Sequence, residues 1–226
     1  DNTFEWCKNF ARKNNNINLL PYGEKFGGAA KNFFRLIRDV DFSYYDYIAF
    51  SDQDDIWDID KLSHAIKTIK KDDLDAYSSD VIAFWSDGRE RLVKKSFPQK
   101  KYDYFFEAAG PGCTYVLKQH SVQRFKKFLN QNWRNVNLIE LHDWMIYAFC
   151  RSQGMRWKID SKPLMYYRQH DNNLFGLNFG IKAYLNRFLK VRTKWYRKEI
   201  KKISDLLNRV SKKDLIFKKS FLIKNF

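Results

Sequence analysis

The sequence predicts an α/β fold: a largely parallel or mixed sheet flanked by helices, followed by a basic helical C-terminal extension. Strand-like and helix-like segments alternate over the first 170 residues, and this order is typical of a sheet covered by helices. The chain of 226 residues is 44% hydrophobic and 18% aromatic, which is enough to bury a sizeable core. Of the net charge of +16, residues 178–226 carry +12, from 15 Lys and Arg against 3 Asp and Glu. We therefore expect a catalytic domain over residues 1–177 and a separate extension over 178–226.

The first half of the chain contains three segments with helical spacing and three apolar strand-like runs. The opening helix can be capped by Asn2 or Thr3 and carries Phe4, Cys7 and Phe10 on one face. A short apolar strand, a glycine-containing loop and a second helix follow, and then a strand, a capped amphipathic helix and a strand closed by a turn. In chain order, the predicted strands are 17–21, 47–50 and 81–85, and the two further helices are 29–40 and 58–71. The apolar stripe predicted for the helix 58–71 consists of Ile59, Leu62, Ile66 and Ile69.

The second half contains three strand-like runs and two helical regions. A strand follows the GPG sequence, and a helix that ends at Gly154 precedes two aromatic strands. From residue 178 onward, apolar residues recur at helical spacing among lysines and arginines. The predicted strands are 113–117, 157–159 and 165–168, and the predicted helix between them is 142–153.

Composition restricts the class of protein. Three widely spaced cysteines indicate neither a disulfide framework nor a zinc motif, so a reducing compartment is expected. No run approaches the roughly 18–20 apolar residues of a membrane-spanning helix, and no secretory signal begins the chain. We expect a cytoplasmic protein.

An acidic cluster follows the predicted strand 47–50, in the sequence FSDQDDIWD. Its carboxylates belong to Asp52, Asp54, Asp55 and Asp58. Ligands of open α/β sheets bind beyond the carboxyl ends of the strands, and carboxylate oxygens suit Mg²⁺ or Mn²⁺. The alternative is a solvated turn in which Asp58 caps the next helix. The position between a buried strand and a strong helix favours the metal site.

Five segments, in the order expected for the family, resemble family 2 glycosyltransferases. YDYIAFSDQDDIWDIDKL is similar to the metal-binding segment of that family, KFGGAAKNFFRLI to its glycine loop and helix near the nucleotide, and GPGCTYVLKQ to the segment that lines the acceptor side. LHDWMIYAFC together with YYRQHDNNLFG most resembles the bacterial rhamnosyltransferase-type members. The resemblance implies a glycosyltransferase A fold with a Rossmann-like mixed sheet. It also implies that the strand, helix and strand that open the family precede residue 1, so we expect the chain to be N-terminally incomplete.

The resemblance implies roles on the donor side. Asp54 would be the direct metal ligand, Asp52 would contact the ribose or the metal, and Asp55 would assist or orient the loop. His170 would be a third metal ligand. Mn²⁺ or Mg²⁺ would be the cofactor. Lys31 and Arg168 can pair with phosphate oxygens, although ordinary surface or packing roles are the alternative for both.

On the acceptor side, Asp143 matches the position of the general base in this family. The alternative is a helix N-terminal charge stabilised by the helix dipole. His142 and Trp144 would contact the acceptor, but core packing is the commoner role of a tryptophan, as it is for Trp57. Gly112 and Cys113 would shape the acceptor loop. Cys113 has no base pattern around it, so a nucleophilic role is rejected.

The predicted function is inverting transfer of a sugar from a nucleotide-diphosphate sugar, dTDP-rhamnose or a UDP-hexose, to a glycan or lipid-linked acceptor. The basic extension is either a helix docked on the domain or an adhesive surface for the anionic inner face of the plasma membrane. A nucleic-acid-binding protein or metal-dependent nuclease is the rival class, because the isoelectric point is about 9.6. That class leaves the GCT, HDW and YRQH segments unexplained, so no nucleic-acid partner is expected. A catalytically inactive transferase-like protein is the third alternative.

Overall fold

A computed structural model describes residues 2–21, 26–169 and 191–210. Its strands form two four-stranded sheets, each of which mixes parallel and antiparallel pairs. The strands are β1 (Tyr47–Ala49), β2 (Ile56–Trp57), β3 (Ala76–Ser79), β4 (Val81–Phe84), β5 (Glu90–Val93), β6 (Val116–Lys118), β7 (Trp157–Asp160) and β8 (Met165–Arg168). The mixed α/β architecture that the sequence predicts is confirmed.

The described residues also form helices. They are α1 (Thr3–Lys13), α2 (Ala29–Asp39), α3 (Lys61–Lys71), α4 (Gln119–Gln131), α5 (Trp133–Val136), α6 (His142–Ser152) and α7 (Trp195–Val210), with short 3-10 helices at Asp103–Phe105 and Gly112–Thr114. The helix α7 corresponds to part of the predicted basic extension, whose residues 178–190 and 211–226 lie outside the described residues.

The first sheet has the strand order β1-β6-β3-β7, and the second has the order β2-β8-β4-β5. In the first sheet, β6 is antiparallel to β1 and β3, and β3 is parallel to β7. In the second, β8 is parallel to β4 and antiparallel to β2. Because β6 runs against β1 and β3, the start of β6 lies at the same edge as their carboxyl ends. The polar segments after β1 and before β6 therefore meet there.

One large aromatic core lies under α2, α4 and α6. Phe34 and Phe125 contact each other across α2 and α4, and Phe125 also packs against Phe149 of α6. Tyr115 and Tyr147 both meet the ring of Trp157 edge-on. Burial of these large rings provides the main apolar driving force for this half of the fold.

Most predicted elements are found close to their predicted positions. The strand predicted at 17–21 is wrong, since that segment is not paired with any described strand. Strands β2, β3 and β5 and helices α4 and α5 were not predicted. Strand β3 reads AYSS, whose small and polar side chains give little β signal, yet all four residues are buried. The segment predicted as a strand from residue 113 instead begins with the 3-10 helix Gly112–Thr114.

The buried face of α3 differs from the predicted apolar stripe. Ile59 is 97% exposed and precedes the helix, and Leu62 is also exposed. The buried residues of α3 are Lys61, Ala65 and Ile69. The helix is therefore rotated from the predicted stripe, and a lysine lies on its buried face.

The helix α7 packs on the catalytic domain through its apolar face. Ile203, Leu206 and Leu207 belong to the main core, beside α6. The buried carboxylate of Glu199 accepts a hydrogen bond from the backbone N–H of Glu140 at 3.2 Å. The docked-helix alternative therefore describes α7, on which Arg197, Lys198 and Lys201 are exposed. Across the described segments, no helix has the length and apolarity that crossing a membrane requires.

Candidate functional site

The acidic loop, residues 50–58, leaves the carboxyl end of β1 and meets the 3-10 helix that precedes β6. Asp52, Asp55 and the thiol of Cys113 bring one ligand atom each to within 4.8 Å of one another. The thiol of Cys113 donates a hydrogen bond to the Asp55 carboxylate. The structure therefore joins two segments that are about sixty residues apart in sequence.

Burial controls the protonation of this group. It raises the pKa of Asp55 to about 6, although bonds from Cys113 and from the backbone of Arg168 act in the opposite direction. Burial and the neighbouring charge of Asp54 also raise the pKa of Asp52. Burial and the two carboxylates raise the pKa of the Cys113 thiol well above its usual value. Cys113 is therefore a neutral thiol that donates to carboxylates, which agrees with rejecting it as a nucleophile.

Arg168 at the end of β8 fixes the acidic loop. Its backbone N–H donates to Asp55 Oδ1 at 3.0 Å, and its guanidinium Nε donates to the backbone carbonyl of Asp54 at 2.8 Å. The guanidinium also lies over the ring of Phe84, 4.6 Å from its centroid. In this structure Arg168 holds the loop that presents the carboxylates.

The carboxylates fit a hard divalent cation, whereas the thiol does not. Asp55 Oδ2 is buried and, within the described part of the chain, has no hydrogen-bond partner. An unpaired buried carboxylate oxygen is costly, and a cation would compensate it. Oxygen atoms of Asp52, Asp54 and Asp55 are the ligand type that Mg²⁺ and Mn²⁺ prefer, and a neutral thiol is a poor ligand for either. His170 lies outside the described residues, so its predicted ligand role stays a prediction.

Asp143 lies in the first turn of α6 and faces the same space as the acidic loop. Burial raises the pKa of this carboxyl to about 6, and the charge of Asp52 contributes in the same direction, while Lys95 opposes it. The carboxylate Oδ1 accepts the backbone N–H of Trp144 at 2.7 Å. A half-buried carboxylate with a pKa near 6 is mostly ionised at neutral pH, and it is basic enough to accept a proton.

The hydroxyl of Tyr167 is a further member of this site. Its side chain packs against the cluster that contains Cys113, and burial together with the charges of Asp52, Asp55 and Asp143 raises the pKa of its phenol. Sequence analysis missed Tyr167, although it precedes Arg168 in the YYRQH segment that was singled out. Lys95, near Asp143, was also missed, because it lies in a polar loop without a motif.

His142 is buried behind the acceptor loop. Its imidazole stacks on Phe33 of α2 with centroids 4.1 Å apart and an interplanar angle of 16°. Burial lowers the pKa of this ring to about 3, so it is neutral. Its Nε2 would lie 2.3 Å from a Cβ on Gly112, so only glycine fits there. His142 thus connects α2, α6 and the Gly112 loop, and in this structure its ring is covered by protein.

The side chains of two other predicted site residues have different surroundings. Trp144 is 2% exposed and its indole N–H donates to the carbonyl of Tyr104 at 2.9 Å. The ring of Trp144 therefore packs in the core, which is the alternative favoured from the sequence. In this structure it has no face exposed to an acceptor. Lys31 is exposed on the outer side of α2.

Comparison with known proteins gives a consistent family. The model of the family described as "Glycosyl transferase family 2" matches residues 1–147. The chain is 51% identical, over 208 residues, to "dTDP-rhamnosyl transferase RfbG" of Shigella flexneri, covering 92% of this chain and 72% of that protein.

Solved structures show a similar fold. The crystal structure of S. aureus TarS 1–349 in complex with UDP-GlcNAc aligns with a TM-score of 0.51 and 14% identity, over 80% of this chain and 50% of TarS. A second crystal structure of S. aureus TarS 1–349 gives the same TM-score and identity, over 74% of this chain and 48% of that chain. The chain thus spans about half the length of these solved chains. At this identity the likeness concerns the fold, and it agrees with the predicted glycosyltransferase A architecture.

Proposed function

This chain belongs to glycosyl transferase family 2, and on that premise we propose that it transfers rhamnose from dTDP-rhamnose to a hydroxyl group of a glycan or lipid-linked acceptor. The observation that carries the donor is the 51% identity to a dTDP-rhamnosyl transferase over 92% of this chain. The product would be a bacterial cell-surface polysaccharide. A UDP-hexose is the second candidate donor, because the TarS neighbour is in complex with UDP-GlcNAc.

We assign the general base to Asp143. An acceptor hydroxyl oxygen attacks the anomeric carbon of the donor, the bond from that carbon to the diphosphate oxygen breaks, and dTDP leaves with the bonding electrons. The hydroxyl proton passes to the carboxylate of Asp143, whose pKa of about 6 suits this transfer near neutral pH. A single in-line displacement inverts the anomeric configuration.

The acidic loop is proposed as the site of a divalent cation and of the donor diphosphate. Asp52, Asp54 and Asp55 would hold Mn²⁺ or Mg²⁺, which stabilises the negative charge that develops on the leaving diphosphate. Arg168 holds the loop backbone, and the Asp55 Oδ2 atom without a partner among the described residues supports a cationic ligand. Tyr167, whose pKa is raised by burial and by the charges of Asp52, Asp55 and Asp143, would lie close to both donor and acceptor.

We propose that the outward basic face of α7 contacts an anionic membrane surface, which would bring the enzyme to a lipid-linked acceptor in the cytoplasm. Arg197, Lys198 and Lys201 are exposed along this face, and Arg192 and Lys194 are exposed just before the helix. Exposed lysines and arginines near an anionic lipid surface each contribute about 1 kcal/mol. The nuclease alternative is not carried further, because it offers no account of the family match.

Titration calorimetry tests the donor site. The protein is titrated with dTDP, UDP and GDP, with and without Mn²⁺, beside Asp54→Ala and Asp55→Ala. Tight binding of dTDP that needs Mn²⁺ and disappears in the variants is the expected result. Metal-independent binding that both variants retain would contradict the metal proposal, and preference for UDP would reassign the donor.

A further inference from the structure

Lys61, the first residue of α3, is buried and finds no hydrogen-bond partner for its charge among the described residues. The residue is 3% exposed, and its ammonium nitrogen is bonded to no group in the described part of the chain. The nitrogen lies 3.4 Å from the centroid of the Trp57 ring. A cation over an indole face is stabilised, but by less than full hydration supplies.

The position of Lys61 at the start of α3 is a second unfavourable contribution to stability. The N-terminus of an α-helix carries a partial positive charge, so an ammonium at the first position of α3 is disfavoured by the helix dipole. An apolar side chain of similar length would satisfy both constraints. A buried lysine in such a place is therefore better explained by function than by stability.

The ammonium lies beneath the acidic loop. Burial lowers the pKa of Lys61 to about 8, while the neighbouring charge of Asp55 favours the charged form. Asp55 Oδ2 is likewise buried and, among the described residues, has no hydrogen-bond partner. An unsatisfied donor and an unsatisfied acceptor thus lie at the same site. A ligand that carries anionic oxygens together with a cation would complement both.

We infer that Lys61 contributes the fixed positive charge that binds the diphosphate group of the nucleotide donor. This inference rests on the proposed function and adds a binding residue to it. A positive charge held in a low-dielectric environment attracts an anion much more strongly than one in water. It also offsets the repulsion between the acidic loop and the diphosphate.

Lys61→Met removes the charge and keeps the length of the side chain. Calorimetric titration with dTDP and with dTMP, in the presence of Mn²⁺, is compared with the unaltered protein. We expect the affinity for dTDP to fall at least tenfold and the affinity for dTMP to fall much less. Urea unfolding of the variant should occur at the same or a higher midpoint, because a buried unpaired charge is removed. Lys67→Met, an exposed change on the same helix, should leave both affinities unaltered.

Each other outcome overturns the inference. If the unaltered protein binds dTDP and Lys61→Met binds it equally well, Lys61 has no part in the site while the proposed function stands. If the unaltered protein binds no nucleoside diphosphate, the proposed function fails as well. If Lys61→Met and Lys61→Leu both fail to fold, the charge is required by the fold, which contradicts the inference.

Discussion

At the scale of single residues, the site combines groups whose environments give neighbouring carboxylates different tasks. Asp55 is tied to Cys113 and to the backbone of Arg168, so it is fixed in orientation. The carboxylate of Asp143 accepts a hydrogen bond from the Trp144 N–H of its own helix, and burial gives it a pKa of about 6. Burial raises the pKa of Asp55 to about 6 as well, so bonding and position, rather than acidity, distinguish a candidate ligand from a candidate base.

Asp143→Asn tests the base. Transfer from dTDP-rhamnose should fall by about 10²–10⁴-fold, because a carboxamide accepts no proton, while dTDP binding stays unchanged. In the unaltered protein kcat/KM should fall as the pH drops through about 6, since protonation inactivates the base. Normal turnover in the variant would contradict the assignment.

The same carboxylate affects stability with a definite sign. The pKa of Asp143 is raised in the fold from 3.8 to about 6, so the folded protein binds the proton more tightly than the unfolded chain does. The ionised carboxylate of Asp143 therefore destabilises the folded protein at pH 7. This destabilisation decreases progressively as the pH falls from about 6 towards 4. Because the side chain is only half-buried, Asp143→Asn should raise the free energy of unfolding at pH 7 by about 1 kcal/mol, and by less at pH 4.5, in urea titrations at both pH values.

Gly112 is the residue at which close packing requires glycine. In Gly112→Ala the new methyl group meets the imidazole of His142 at 2.3 Å, so the ring or the loop must move. We expect a loss of about 1–3 kcal/mol in the free energy of unfolding and a lower kcat, since His142 directly precedes Asp143. Gly28→Ala is the control for stability, because its φ of 174° is extended and no atom lies within 4 Å of its added Cβ. Equal stability of the two variants, measured in urea, would show that the loop accommodates a side chain.

At the scale of elements, the sequence indicated most helices and strands, and it failed where side-chain chemistry and burial disagree. The apolar stripe of α3 was assigned from Ile59 and Leu62, which are exposed, whereas the buried face carries Lys61. A hydrophobicity pattern counts lysine as polar, so it cannot find a lysine that is buried beneath a carboxylate loop. The short strand β3 was missed for the converse reason, since its alanine and serines are buried without being strongly apolar. The acidic loop was found because its charges are adjacent in sequence, but its contacts with Cys113 and Tyr167 depend on the tertiary fold.

The helix α7 provides the element-scale prediction. Leu207 is fully buried in the core that α6 shares. Leu207→Ala should therefore lower the free energy of unfolding of the whole catalytic domain by about 2–5 kcal/mol. Lys201→Ala, on the exposed side of α7, should change it by less than about 0.5 kcal/mol. Urea unfolding followed by tryptophan fluorescence measures both. An unaltered midpoint for Leu207→Ala would show that α7 is dispensable for the domain.

At the scale of the whole molecule, charge is distributed unevenly between the candidate site and the C-terminal segment. The carboxylates of the site lie at one edge of the sheets, while the segment 178–226 holds +12 of the net charge of +16. Since α7 buries its apolar face against the domain, a membrane contact by this helix depends on charge and not on insertion of that face. Such a contact is screened by salt within about 10 Å at 0.1 M ionic strength.

Vesicle co-sedimentation tests that consequence. The protein should bind vesicles that contain phosphatidylglycerol at low salt, and it should be released as the ionic strength approaches about 0.5 M. Replacement of Arg197, Lys198 and Lys201 together with glutamine should weaken vesicle binding by about two orders of magnitude, because each lost charge removes roughly 1 kcal/mol of binding free energy. Folding and dTDP binding should be unaffected, because all three side chains are exposed on α7. Equal binding to vesicles of neutral phosphatidylcholine, or salt-independent binding, would contradict an electrostatic contact. Full retention by the triple variant would exclude this face of α7 as the membrane-binding surface.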